Sequence, residues 1–249
     1  MTADTPAGSR RHIPNALTIL RLVLAAVVFV LLARFQATGL GAGSAHTPDA
    51  TSLQSPHASA QRAILLAAAI LFILAATTDF LDGYLARKWR VVSKFGRVMD
   101  PFADKILILG SFILLAGPNF AISNPDVAGS GDAVALTGVQ PWMVVVILAR
   151  ELLVTSLRAA LEGSGVDFSA TLSGKLKMVL QSVAVPVILL SVAYLPHWFE
   201  SASGAIVART PLPAAIAAWL TTLVTAWSGL PYVVRAIRAG RTTDRSLPN

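Results

Sequence analysis

Four aspartates, Asp79, Asp82, Asp100 and Asp104, stand in two pairs spaced three and four residues apart, so each pair occupies one face of a helix. Gly83 and Ala86 lie beside the first pair, and Gly96 lies one turn before Asp100. Eight residues separate Arg87 from Gly96, which makes the two helices antiparallel neighbours and lets the four carboxylates converge. Carboxylates that close repel strongly in a low dielectric and stay ionised only if cations hold them together. Oxygen-only ligands select hard ions, Mg²⁺, Mn²⁺ or Ca²⁺, over Zn²⁺ or copper. Two such ions about 3.5–4 Å apart suit in-line phosphoryl displacement, because they steady both the entering and the leaving oxygen. The lack of bulk at Gly83, Ala86 and Gly96 lets a large charged substrate approach the helix backbones. Arg87 is placed to hold a phosphate through two parallel hydrogen bonds. The competing reading is a solvated cluster at helix ends, favourable for Asp100 and Asp104 near a helix start. Four carboxylates on two facing stripes, with small residues between them, favour the metal site.

The elements that carry these residues are strongly apolar. Of 249 residues 55% are hydrophobic and only 13% charged, against about 25% charged in ordinary soluble domains. That argues against a soluble domain and against intrinsic disorder. A bilayer core about 30 Å thick takes roughly 20 apolar residues per helix. Six segments qualify, at about 14–35, 62–86, 98–117, 140–162, 175–196 and 212–238, predicting an all-α integral membrane protein. A domain over 13–238 then lies between tails 1–12 and 239–249, with no internal repeat and no soluble second domain. The stretches 36–60 and 118–139, rich in small and polar residues, read as flexible outer loops without chemistry. Basic residues cluster before span one, between spans two and three, between spans four and five, and after span six. The opposite side carries only Arg34, Arg62 and Arg209, so the positive-inside rule puts both termini and the carboxylates on the cytoplasmic side of the cell membrane. The net charge of +7 is mostly this bias and gives no reason to expect nucleic acid. A signal peptide is the alternative for residues 10–35, but the apolar run is too long and holds Arg21. Without cysteine there are no disulfides and no thiolate chemistry.

The run from Asp79 to Asp104 is similar to the signature D-x2-D-G-x2-A-R-x8-G-x3-D-x3-D of the CDP-alcohol phosphatidyltransferase family, complete at all eight fixed positions. Ile13-Pro14-Asn15-Ala16-Leu17-Thr18-Ile19-Leu20-Arg21 resembles the amino-terminal stretch of that family's phosphatidylglycerophosphate synthase branch. So do Ala149-Arg150-Glu151-Leu152 with Thr155, Leu157 and Arg158, and Ser173-Gly174-Lys175-Leu176-Lys177 with Gln181. The resemblance implies a six-helix fold, a homodimer and transfer of a phosphatidyl group from CDP-diacylglycerol to glycerol 3-phosphate. It also implies a site with two Mg²⁺ ions, or Mn²⁺, on Asp79, Asp82, Asp100 and Asp104, the last doubling as general base. Gly83, Ala86, Arg87 and Gly96, with Asn15, Thr18 and Arg21, would then form the CDP pocket. Arg150, Lys175, Arg158 and Lys177 would hold the acceptor's phosphate.

Each of these has a plainer reading. Asn15 and Thr18 serve equally as helix caps; Arg150 and Glu151 pair with other helices, and the lysines snorkel. A sister transferase taking inositol phosphate, serine or phosphatidylglycerol is the nearest rival activity. A divalent-cation transporter is the rival from another class, but it predicts carboxylates spread across membrane depth. The four histidines have no metal-ligand spacing, and the Gly39–Gly43 cluster follows no strand. Trp142, Tyr194, Trp198 and Tyr232 fall near span ends, as interfacial anchors do.

Overall fold

The computed structural model describes residues 7–37, 56–89, 94–123, 133–162, 172–194, 198–200 and 206–244. They form six long helices: α1 (Ala7–Arg34), α2 (Pro56–Trp89), α3 (Lys94–Leu115), α4 (Pro141–Glu162), α5 (Leu172–Tyr194) and α6 (Leu212–Asp244). A 3-10 turn (Pro118–Phe120) and the antiparallel pair β1 (Ala121–Ser123) and β2 (Ala133–Ala135) lie between α3 and α4. A second pair, β3 (Trp198–Glu200) and β4 (Ile206–Ala208), lies between α5 and α6.

The helices close into a ring in the order α1, α2, α5, α6, α4, α3, with α3 returning to α1. Among the described residues α2 and α3 touch each other only lightly, and α1 packs extensively on both. Contacts at one end fix the directions. Gln36 N–H donates to Gln61 Oε1 at 3.1 Å, Asn119 Nδ2 donates to the Ala33 carbonyl at 2.8 Å, and Phe35 stacks on Phe120 with ring centroids 4.5 Å apart. Thr210 Oγ1 donates to the Ala135 carbonyl at 2.8 Å. The ends of α1 and α3 and the starts of α2, α4 and α6 therefore meet there, and the bundle runs alternately up and down.

Each helix turns one stripe inward at three- and four-residue intervals. On α1 that stripe is Thr18, Arg21, Ala25, Val28 and Leu32, all buried. On α2 it includes Leu65, Ala68, Phe72 and Ala75, and on α5 it includes Gln181, Ala184, Val185, Ile188 and Val192. Outward faces are apolar too: Ile19, Val23, Val27 and Val30 of α1 and Trp219, Leu223, Trp227 and Leu230 of α6 are exposed. Contiguous exposed hydrocarbon on this scale suits lipid and not water. Four helical stretches, Ala16–Arg34, Pro56–Asp79, Leu176–Tyr194 and Leu212–Val234, are long and apolar enough to cross a membrane. Among the described residues of α3 and α4 no stretch reaches that measure. Their 22 residues each still correspond to about 33 Å of helix.

Two loop expectations need correcting. Helix α2 starts at Pro56, inside the stretch read as a loop over 36–60. Ala58 and Gln61 extend its inward stripe by one more turn, and the Gln61 side chain satisfies the chain just beyond α1. Within 118–139, Phe120, Ile122, Leu136 and Val139 join the core, and Thr137 Oγ1 donates to the Leu115 carbonyl at 2.8 Å. Three-residue strands are too short for an alternation to stand out in the sequence. Gly138, with φ of 68°, turns the chain from β2 toward α4 where an added Cβ would lie 3.0 Å from Ala215 Cα. Helix also continues past the expected domain limits, from Ala7 and to Asp244.

The close α1–α3 approach rests on Gly110, where an added Cβ would lie 2.3 Å from Phe29 Cζ. A rigid ring cannot yield cheaply, so Gly110→Ala is expected to lower stability by about 1–3 kcal/mol. Thermal unfolding in detergent measures this. Adding Phe29→Leu to the same protein should recover part of the loss.

Candidate active site

At the end of the bundle opposite the β1–β2 hairpin, the inward stripes change from apolar to charged. One or two turns beyond Ala25 on α1 come Arg21 and Thr18, both buried; beyond Ala75 on α2 comes Asp79. Asp104 precedes Leu107 on α3, Arg150 and Glu151 follow Ile147 on α4, and Lys177 and Gln181 precede Ala184 on α5. The alternating helix directions bring all of these to one level.

Two charge groups result. In the first, Arg21 is fully buried and its Nη1 lies 2.5 Å from Asp79 Oδ1, while the Asp79 side chain keeps 34% exposure. Asp104 interacts electrostatically with Asp79 and Arg21, which places carboxylates of α2 and α3 in one field. In the second, the Lys177 ammonium pairs with Glu151 Oε1, and Arg150 Nη1 lies 3.2 Å from the same oxygen. Arg150 also donates to the Ser228 carbonyl at 3.4 Å and sits over the Tyr232 ring, 5.9 Å from its centroid. Gly229 makes room for that side chain, since an added Cβ would lie 3.2 Å from Arg150 Cγ. Lys105 Nζ donates to Thr155 Oγ1 at 2.6 Å and so ties α3 to α4. Thr155 Oγ1 in turn donates to the Glu151 carbonyl at 2.7 Å. The groups meet at Asp104, which interacts with Lys177 and Lys105 as well.

The sequence-predicted residues divide accordingly. Asp79, Asp104, Thr18, Arg21, Arg150 and Lys177 are brought to one level. Asp82, Gly83, Ala86, Arg87, Gly96, Asp100, Arg158 and Lys175 lie on the expected helices, as does Asn15, but their side chains are outside the described residues. Tyr232, read as an interfacial anchor, is 2% exposed and lies beneath Arg150. The inward stripe of α6 (Thr221, Thr225, Ser228, Tyr232) carries it there, whereas Trp142 and Tyr194 are exposed as expected. Glu151, Lys105, Ser228 and the Gln181–Thr225 hydrogen bond of 3.1 Å were not anticipated as site features. Lys105 was nevertheless visible as a charge inside a span.

The donor chemistry fits a hard divalent cation. Asp79 and Asp104 offer oxygens within one electrostatic field, and Asp82 and Asp100 fall one turn from each on the same helices. Arg21 supplies a positive charge beside Asp79 and Asp104.

A groove of about 470 Å³ opens between α2 and α5, lined by Ile73, Ala76, Pro186, Val187 and Leu190. Its two hydroxyl residues are turned to their own helices: Thr77 Oγ1 donates to the Ile73 carbonyl at 2.7 Å and Ser182 Oγ to the Met178 carbonyl at 2.9 Å. The groove thus presents hydrocarbon, and it begins two residues from Asp79.

Comparison with known proteins adds to this geometry. The family model for CDP-alcohol phosphatidyltransferase matches residues 11–227. The chain is 34% identical over 235 residues to a CDP-diacylglycerol–glycerol-3-phosphate 3-phosphatidyltransferase of Bacillus subtilis, covering 94% of this chain and 99% of that protein. It is 33% identical over 181 residues to a protein of the same name from Cereibacter sphaeroides, covering 72% of this chain and 63% of the relative. Another of that name, from Mycoplasma genitalium, is 30% identical over 179 residues, 72% of this chain and 65% of the relative.

Because Arg21 is fully buried and shares the field of two carboxylates, Arg21→Met should cost about 1.5–3 kcal/mol. The thermal midpoint in detergent should fall accordingly; an unchanged midpoint would show that the carboxylates do not depend on this guanidinium.

Proposed function

The chain belongs to the CDP-alcohol phosphatidyltransferase family, and on that premise we propose that it transfers the phosphatidyl group of CDP-diacylglycerol to glycerol 3-phosphate. The products are phosphatidylglycerophosphate and CMP, in phospholipid biosynthesis. The observation that supports the reading is that Asp104 interacts electrostatically with both the Asp79–Arg21 pair and the lysines Lys177 and Lys105. A base that shares both fields would serve a nucleotide donor and a phosphate-bearing acceptor together.

Asp79, Asp82, Asp100 and Asp104 would hold two Mg²⁺ ions, with Mn²⁺ a chemically equivalent choice. When bound, the metal supplies neutralising charge to the donor's diphosphate. Gly83, Ala86, Arg87 and Gly96 line the nucleotide's approach, and Arg87 holds its phosphates. Arg21 braces Asp79 from inside the bundle, and Asn15 and Thr18 belong to the same wall. Arg150 and Lys177, joined by Lys175 and Arg158, receive the acceptor's phosphate. Asp104 takes the proton of the acceptor's 1-hydroxyl, that oxygen attacks the β-phosphorus, and CMP departs. A single displacement needs no covalent enzyme intermediate, which agrees with a chain that lacks cysteine. The groove between α2 and α5 takes one acyl chain of the donor beside Asp79.

All six helices cross the membrane in this reading, as a homodimer in the cell membrane. The charged end faces the cytoplasm, because the basic residues gather there.

An acceptor screen on purified protein tests the reaction, with CDP-diacylglycerol, Mg²⁺ and CMP release as readout. Glycerol 3-phosphate alone should drive release, EDTA should stop it and added Mg²⁺ restore it; release with serine or inositol phosphate instead would overturn the acceptor assignment. Asp104→Asn should reduce kcat by about 10²–10⁴-fold while the protein stays folded. For the groove, Ala76→Phe should raise KM for long-chain CDP-diacylglycerol while leaving KM for glycerol 3-phosphate near that of the parent. Equal KM values for the lipid in both proteins would place the acyl chain elsewhere.

A further inference from the structure

We propose that Glu151 is the positioning residue of the acceptor-phosphate site: its carboxylate sets Lys177 and Arg150 side by side. This rests on the reading of Arg150 and Lys177 as the groups that receive the acceptor's phosphate.

Glu151 is 8% exposed on the inward stripe of α4, where a carboxylate is rare unless it is paired. Its pairing is lopsided. One oxygen, Oε1, meets both the Lys177 ammonium and Arg150 Nη1. Arg150 has further ties of its own, to the Ser228 carbonyl and the Tyr232 ring, so its place does not depend on Glu151 alone. Lys177 is different. Among the described residues the other charged groups that act on it are Arg150, Asp104 and Lys105. Without Glu151 the ammonium loses the ion pair that fixes it beside Arg150. Glu151 therefore acts through Lys177, without touching substrate.

The charge count agrees. Among the described residues three cations, Arg150, Lys177 and Lys105, stand with two carboxylates, Glu151 and Asp104, and leave an excess of positive charge. A phosphate monoester carries about −1.5 to −2 at neutral pH, so the group complements it; an uncharged acceptor would leave it uncompensated. The Thr155 hydroxyl fastens the arrangement, bonding the Glu151 carbonyl while accepting from Lys105.

The test compares full-length Glu151→Gln, Lys177→Met and the double variant in detergent, with KM for each substrate and kcat read from CMP release. Glu151→Gln should raise KM for glycerol 3-phosphate and lower kcat, each by roughly tenfold, with KM for CDP-diacylglycerol within about twofold of the parent. Lys177→Met should also raise the acceptor KM, and the double variant should add little to it, because Glu151 works through Lys177. Glu151→Asp should recover part of what Gln loses. If Lys177→Met raises the acceptor KM while Glu151→Gln leaves it alone, the positioning role is wrong and the acceptor site stands. If Lys177→Met leaves the acceptor KM unchanged, the acceptor-site reading fails and takes this inference with it. Equal losses toward both substrates, or additive losses in the double variant, reduce Glu151 to a structural role and overturn the proposal. Should Glu151→Gln not fold, the double variant, which removes both charges of the pair, and Glu151→Asp carry the same comparison.

Discussion

Like charges held together inside a low-dielectric bundle set the terms for everything else in this protein. Asp79 and Asp104 come from different helices into a single field, close to where the inward stripes are otherwise hydrocarbon. Such an arrangement lasts only if positive charge is built in beside it. Arg21, with no exposed surface, is that charge in the protein chain itself. Its burial is costly in isolation, and the cost is offset because the carboxylate across from it would otherwise face another carboxylate.

The bundle makes this possible by dividing each helix lengthwise. At the hairpin end the inward stripes are Leu, Ile, Val, Ala and Phe, packed around Phe35 and Phe120. That half supplies the apolar burial that holds six helices in register. At the other end the same stripes carry Arg21, Asp79, Asp104, Arg150, Glu151 and Lys177, charges that are costly to bury unless they are paired. Because the helices alternate in direction, the charged stretch follows the apolar one along α2 and α4 and precedes it along α1, α3 and α5. The Lys105–Thr155 hydrogen bond crosses from α3 to α4, where the ring of helices makes its lightest contact.

The two charge groups differ in kind, and the difference bears on the reaction proposed. Among the described residues Asp79, Asp104 and Arg21 leave an excess of negative charge, whereas Arg150, Lys177 and Lys105 outnumber Glu151. Asp104 interacts electrostatically with members of both groups. The proposed reaction, with a nucleotide donor and a phosphate-bearing acceptor, asks for that division.

Much of this was legible in the chain. The apolar runs established six helices, since lipid leaves the backbone no other way to bond over such lengths. The aspartate spacings of three and four established which carboxylates share a face, because helical geometry is local. Charges inside apolar runs marked Arg21, Arg150 and Lys177 as candidates. Other features were not legible because they depend on contacts distant in sequence. Which cation serves which carboxylate, Arg21 with Asp79 and Lys177 with Glu151, follows from the ring order of the helices. The burial of Tyr232 under Arg150 follows from the rotation of α6, which no window of sequence states. Three-residue strands fall below any periodicity, so the hairpins came only from the fold. Residue type and spacing thus determined the helices and the candidate chemistry, being local properties of the chain. The pairing of charges was decided by tertiary structure, because a charge answers to whatever lies nearest in space.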